Sequence, residues 1–91
     1  EDLHVGLAGA VFADVPTNHP MHGRLHGALV ALVERGSPAA RRGLRPGDLI
    51  IAVNRERTES IAKLRGITAQ ADGSLILNLR RGNDGLTLLV R

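Results

Sequence analysis

The segment from residue 36 to residue 54, GSPAARRGLRPGDLIIAVN, constrains the fold more than any other part of the chain. Ser37 is a preferred helix N-cap, and Pro38 suits the first helical position because its missing N–H would have no partner there. Gly43 is placed to end this short helix, and the Pro-Gly pair at 46–47 predicts a tight turn. The aliphatic run at 49–53 follows as a short buried strand. We therefore interpret the segment as scaffold, in which the glycines and prolines shape the backbone.

The composition predicts one small soluble domain with an aliphatic core. The chain has 91 residues, of which 43% are hydrophobic and 23% are charged, as is typical of globular proteins. Phe12 is the only aromatic residue, so the core must be built from leucine, isoleucine, valine and alanine. The absence of cysteine excludes disulfides and thiolate metal sites. No apolar run has the length of a membrane span, and the first ten residues lack the features of a secretion signal, so we expect any export signal to lie outside this chain.

The positive charge does not indicate a nucleic-acid partner. Eleven arginines and one lysine stand against nine acidic residues, which gives a net charge of +3. The arginines are scattered along the chain, and no aromatic residues alternate with them to stack on bases. We therefore expect the arginines to lie on a solvated surface.

Hydrophobic patterns predict the remaining elements. Ser60 is a candidate N-cap for a second helix, although Gly66 in its interior lowers helix propensity. The last third of the chain alternates apolar and polar residues on both sides of a GNDG turn, as in a β-hairpin. We predict an α+β domain of four or five strands, a mostly antiparallel sheet capped by one short and one longer helix. The elements beyond 36–54 are a strand within 7–13, an exposed connection at 14–27, a strand at 28–34, a helix at 61–70 and a hairpin at 75–91.

Side chains offer little chemistry. The three serines are explained as helix caps or turn residues, and no G-x-S-x-G segment is present, so we expect no hydrolase triad. Three histidines, His19, His22 and His26, have a spacing that would suit a metal site on a helix. Pro20 and Gly23 oppose that helix, so we expect a solvated loop, with no metal and no cofactor.

The first bend offers a candidate binding site built from backbone groups. Residues 7–10, LAGA, form a small glycine-containing turn that runs into a strand. Amide groups in such a bend can hold an anion such as a terminal carboxylate. If the predicted helix at 61–70 lies beside this strand, an extended peptide could enter the gap between them as an additional strand.

With these elements in place, the chain resembles a known family. The segments GSPAARRGLRPGDLIIAVN, SIAKLRGITAQ and LILNLRRGNDGLTLLVR are similar to bacterial PDZ domains, and the likeness extends over most of residues 7–91. The combination of VNRERTESIAKLR with RRGNDGLTLLVR most resembles the last PDZ domain of HtrA/Deg-family periplasmic serine proteases of the DegP and DegQ type. The resemblance implies a PDZ-like fold, a small β-sandwich or partial barrel. It also implies that residues 1–91 are a single domain of a larger protease.

The resemblance also assigns candidate site residues. The family's carboxylate-binding loop falls on residues 7–10, so the amides at 8–10 would face a peptide's terminal carboxylate, and residues 11 and 12 would pair with the peptide backbone. Both residues that flank the loop glycine are alanines, where the family usually has bulky residues, so we expect a wide or shallow pocket. The helix side of the groove would come from residues of the second helix, whose division between groove and core the sequence leaves open. The full set is Leu7, Ala8, Gly9, Ala10, Val11, Phe12, Ile61, Leu64, Arg65 and Thr68.

The resemblance implies a non-catalytic function. The domain would recognise C-termini or extended segments of unfolded proteins by β-strand addition, in the periplasm, while the catalytic residues of the parent protease lie in another domain. An alternative is an assembly module that contacts PDZ domains of neighbouring subunits in a homo-oligomer and has little peptide affinity. Neither interpretation requires a cofactor, a nucleic acid or a membrane span.

Overall fold

The computed structural model describes residues 5–15, 27–71 and 73–90. Within these ranges the chain forms a sheet and two α-helices, in the α+β class that the sequence predicts. The histidine-containing part of the predicted connection lies outside the described residues. The elements are a 3₁₀ turn Val5–Leu7, strands β1 Ala10–Asp14, β2 Ala28–Val33, β3 Leu49–Val53, β4 Glu56–Arg57, β5 Leu75–Arg81 and β6 Asp84–Val90, and helices α1 Pro38–Arg41 and α2 Ile61–Gln70.

Helix α1 forms where the cap residues predict it. The Ser37 hydroxyl accepts a hydrogen bond from the Ala40 amide at 3.2 Å, and Pro38 occupies the first turn. Gly43, with a φ of 98°, follows the helix in a conformation that favours glycine. The turn at 46–47 leads directly into β3, whose bounds match the predicted aliphatic run.

The sheet is antiparallel throughout, in the order β1-β2-β3-β5-β6, with β4 paired to β3. Leu32 pairs with Val11 and Val30 with Phe12, so Ala31 is the additional residue of a β-bulge. Along the described chain, β1 and β6 each pair with one strand, so they form the two edges of an open sheet. The fold is thus an open antiparallel sheet with two helices, without the closure of a full barrel.

Helix α2 begins at its predicted cap. The Ser60 hydroxyl accepts a hydrogen bond from the Lys63 amide at 3.3 Å, and the helix continues through Gly66 to Gln70. Leu64 and Ile67 are buried in the core, which offsets the low helix propensity of the glycine between them.

The core is aliphatic, as the composition predicts. Phe12 is half-buried and packs against the core. The first predicted strand is present as Ala10–Asp14, and Leu7 before it lies in the 3₁₀ turn and contributes to the core. The buried hydrophobic residues are Leu7, Ala28, Val30, Ala39, Leu44, Leu49, Ile50, Val53, Leu64, Ile67, Leu75, Leu77, Leu79 and Val90.

Arg81 departs from the solvated surface expected for the arginines. Arg81 donates from Nε to Oδ1 and from Nη2 to Oδ2 of Asp48, each at 2.8 Å, and Nη2 also donates to the Gly43 carbonyl at 2.8 Å. The Asp48 side chain is only 1% exposed and also accepts a hydrogen bond from the Arg45 amide at 2.9 Å. This ion pair joins the end of β5 to the turn that precedes β3.

Candidate functional site

The bend at residues 8 and 9 is fixed by two hydrogen bonds to its carbonyl groups. The Ala8 carbonyl accepts from the amide of Ala39 in the first turn of α1, at 3.1 Å. The Gly9 carbonyl accepts from the amide of Glu34, directly after β2, at 2.8 Å. Gly9 has a φ of 93°, and a Cβ at this position would overlap the side chain of Ser37. The bend therefore requires glycine and is held against α1 and β2.

These two bonds determine where the following amides point. In a trans peptide the carbonyl and the N–H of the next residue point in opposite directions, and the described peptides contain no cis bond. Because the Ala8 carbonyl faces α1, the Gly9 N–H faces away from α1. Because the Gly9 carbonyl faces the end of β2, the Ala10 N–H faces away from β2. Two successive donors are thus turned outward, an arrangement that can hold an anion.

Strand β1 extends these outward donors into an open edge. Within the described residues β1 pairs with β2 alone, in an antiparallel register that places Ala10 opposite Val33. Along an antiparallel strand, the N–H and C=O groups of one residue face the partner strand, and those of the next residue face the opposite edge. The N–H and C=O groups of Ala10 and Phe12 therefore face the open edge, and those of Val11 face β2. The edge can accept the backbone of one more strand.

Helix α2 lies beside this edge. The Ile61 amide at the start of α2 donates to Oδ1 of Asp14 at the end of β1, at 2.9 Å. Residues 61, 65 and 68 follow the i, i+4, i+7 spacing of one helix stripe. A second stripe at 63, 67 and 70 lines a depression of about 200 Å³ beside Glu56 of β4. The two stripes are offset by two residues, or about 200° around the helix, so the first stripe lies on the side of α2 away from this depression.

We call the space between β1 and this first stripe of α2 the groove. The four helix residues that the sequence proposed for it occupy different environments. Leu64 is fully buried and belongs to the core. Thr68 is also buried, and its hydroxyl donates to the carbonyls of Leu64 and Arg65 at 2.9 and 3.1 Å. Ile61 is half-buried and Arg65 is exposed, so neither side chain belongs to the buried core.

Two contributors to the groove were not identified from the sequence. Asp14 ties β1 to α2 across 47 residues of sequence, and no local pattern marks an acid at a strand end for that purpose. Ser37 was recognised as a helix cap, but its side chain also limits the Gly9 position to a residue without a Cβ. The roles proposed for the loop and strand residues in ligand binding remain predictions.

Comparison with known proteins identifies the family. A sequence profile of the PDZ domain family matches residues 29–81, more than half of the chain. The chain is a PDZ domain. The PDZ domain of HtrA3, solved with a phage-derived ligand of sequence FGRWV, has a TM-score of 0.77 and 26% identity to it, covering 90% of this chain and 79% of that one.

Sequence relatives of this PDZ domain are proteases. It is 46% identical over 59 residues to the periplasmic pH-dependent serine endoprotease DegQ of Escherichia coli K12. This alignment covers 65% of the PDZ domain and 13% of DegQ. It is 39% identical over 69 residues to the periplasmic serine endoprotease DegP of Salmonella typhimurium, covering 76% of the PDZ domain and 14% of DegP. The PDZ domain thus spans about one seventh of the length of these relatives. Among the residues that the structure describes, no helix is long and apolar enough to cross a membrane.

Proposed function

We propose that this PDZ domain captures the carboxyl-terminal end of another polypeptide in the groove. The Gly9 and Ala10 amides receive the terminal carboxylate, and the ligand backbone pairs with the open edge of β1. The orientation of these two amides, away from α1 and β2 at the start of that edge, carries the proposal. The peptide bound to the PDZ domain of HtrA3 supports it.

The ligand would run antiparallel to β1. Its carboxylate lies at Gly9 and Ala10, where β1 begins, so its preceding residues extend toward Asp14, where β1 ends. Strand addition of this kind derives affinity from main-chain hydrogen bonds, so many sequences are accepted. Such tolerance suits the recognition of unfolded proteins.

The parent protein is proposed to be a periplasmic serine endoprotease of the HtrA/Deg type. DegQ and DegP, whose names describe periplasmic serine endoproteases, support this assignment. In such a protein this PDZ domain is the single domain formed by residues 1–91. It binds polypeptide without cleaving it, and catalysis belongs to another part of the parent.

A peptide titration tests the capture of the carboxylate. A peptide that ends in valine with a free carboxylate is compared with the same peptide amidated at its end, using ¹H–¹⁵N NMR spectra of the 91-residue chain. Hydrogen bonds to a charged group contribute about 1.5–3 kcal/mol, so amidation should weaken binding about tenfold or more. The free peptide should shift the Gly9 and Ala10 amide signals most strongly. Equal binding of the two peptides would contradict terminal capture.

A second candidate function is assembly with neighbouring subunits. Ile76 of β5 and Leu89 of β6 are directly paired in the register, and they are 40% and 48% exposed. Such a pair, away from the groove, suits a contact with another subunit. Replacing both residues with threonine in the parent protein should reduce its oligomer size in sedimentation velocity, and an unchanged size would exclude this surface.

A further inference from the structure

Strand β6 has an open edge on the side of the sheet far from the groove. Within the described ranges, β6 pairs with β5 alone, over its full length and without a register shift. Arg81 and Asp84 close the two-residue turn between these strands, so they form a hydrogen-bonded pair. Backbone groups then face β5 and the open edge alternately. The N–H and C=O groups of Gly85, Thr87 and Leu89 therefore face the open edge.

This edge lacks the features that usually prevent pairing with another strand. Edge strands are commonly protected by charged side chains, by proline or by a bulge. Between Asp84 and Val90 the sequence GLTLL contains no charge and no proline, and the pairing with β5 contains no bulge. Gly85, Thr87 and Leu89 are all exposed. A long, regular and uncharged edge of this kind favours the addition of one more strand.

The outer face of β6 is complementary to a second copy of itself. If two β6 strands pair antiparallel about a two-fold axis at Thr87, each Thr87 lies opposite the other, and Leu89 of one copy lies opposite Gly85 of the other. Side chains at these alternate positions share the outer face, where Leu89 is 48% exposed. A Cβ built on Gly85 would meet no atom within 4 Å, so the space above it is open. The leucine of each copy can therefore pack over the glycine of the other.

We propose that β6 pairs antiparallel with β6 of a second copy of this chain, which joins the two sheets into one. The fit of Leu89 over Gly85 favours a second copy over an unrelated strand, and a glycine within a strand often marks the close approach of another backbone. The two β1 edges lie at the far ends of the joined sheet, so both grooves stay open. The inference rests on the second candidate function, assembly, and does not require peptide capture.

Cross-linking tests the register, because the chain has no cysteine of its own. The Cα atoms of a hydrogen-bonded pair are about 5.5 Å apart, within the range of about 4.4–6.8 Å that a disulfide spans. Thr87→Cys, oxidised with copper phenanthroline, should therefore give a disulfide-linked dimer. Asn78→Cys is the matched control, because Asn78 lies opposite Thr87 on β5, exposed on the same face but one strand further from the axis. Equal cross-linking of the two variants would contradict the proposed register.

Sedimentation equilibrium of the 91-residue chain measures the association itself. Thr87→Pro removes an N–H that faces the open edge, which an edge strand tolerates, and it should weaken the dimer at least about tenfold. Thr87→Val keeps the N–H and the branched shape, so it should still associate. Gly85→Val suits a strand and meets no atom of its own chain, but it fills the space that Leu89 of the second copy requires. It should weaken the dimer without lowering the stability in urea, which keeps the test valid if the proline variant does not fold.

The outcomes separate this inference from the function on which it rests. A chain that stays monomeric at millimolar concentration, or equal association of Thr87→Pro and Thr87→Val, would refute pairing through β6. In the parent protein, Thr87→Pro should reduce the oligomer size as the double substitution of Ile76 and Leu89 does. If only the double substitution reduces it, assembly through the outer face stands and pairing through β6 fails. If neither reduces it, both fail.

Discussion

Replacing Gly9 with alanine should destabilise the domain because the position has neither the backbone conformation nor the space for a side chain. Its φ of 93° lies in the left-handed region, and a Cβ there would overlap the side chain of Ser37. The bend cannot move away freely, because the Ala8 and Gly9 carbonyls are bonded to Ala39 and Glu34. Relief requires displacement of Ser37, whose hydroxyl caps α1.

The magnitude follows from two contributions. A left-handed conformation costs a residue with a Cβ about 1–2 kcal/mol. Displacing the Ser37 side chain removes an N-cap, which is worth about 1 kcal/mol. We expect Gly9→Ala to lower the free energy of unfolding by about 2–3 kcal/mol, a large share of the roughly 5–15 kcal/mol typical of a domain.

Urea unfolding measures this loss, and Gly36→Ala is the matched control. Gly36 has a φ of 75°, but no atom lies within 4 Å of a Cβ built there, so that variant should lose only the conformational contribution. The double variant Gly9→Ala with Ser37→Gly should recover part of the loss, since glycine is tolerated as an N-cap and leaves room for the new methyl group. If Gly9→Ala costs no more than Gly36→Ala, the overlap with Ser37 does not constrain the bend.

Three further predictions concern long-range contacts. Arg81→Lys should lower the free energy of unfolding by about 2 kcal/mol, because lysine cannot reproduce the paired hydrogen bonds to Asp48. The control Arg57→Lys changes an exposed arginine and should cost little, so equal losses of stability in the two variants would refute the prediction. The hydrogen bond to Asp48 raises the pKa of Arg81, although burial opposes this shift. The charged Arg81 therefore stabilises the folded state fully at any pH below the ordinary arginine pKa. This stabilisation is lost only as the pH rises through the raised pKa of Arg81 in the folded protein. The unfolding loss caused by Arg81→Lys should therefore be the same at about pH 7 and about pH 8, and a marked difference would contradict this. Asp14→Ala should cost about 1 kcal/mol in urea unfolding and weaken peptide binding, because β1 loses its bond to α2; a loss no greater than that of Asp84→Ala, at the start of β6, would contradict this.

The elements that depend on local chemistry could be predicted from the sequence. Ser37 and Ser60 cap the helices that follow them, and the alternation of leucines after residue 74 matches the buried face of β5. Strand β4 was missed because two residues, Glu56–Arg57, are too few to show a period, and it exists only by pairing with β3.

The groove could be predicted only in part. The loop glycine and the α2 segment were proposed from the resemblance to PDZ domains, but the division of α2 between core and exposed surface depends on what packs against it. Leu64 belongs to the core, whereas Ile61 is half-buried and Arg65 is exposed. The composition of the α2 segment and the spacing of its apolar residues do not indicate which side of the helix lies next to β1.

The sequence by itself determined the aliphatic core, because the composition offers a single aromatic residue, and it determined the caps, the turns and the hairpin, because each depends on residues that are neighbours in the chain. Only the tertiary structure decided that β1 is an edge strand among the described residues, that Gly9 and Ala10 turn their amides outward, and that Asp48 is paired with Arg81. These features depend on hydrogen bonds between residues far apart in sequence, and such partners are brought together only when the whole sheet forms.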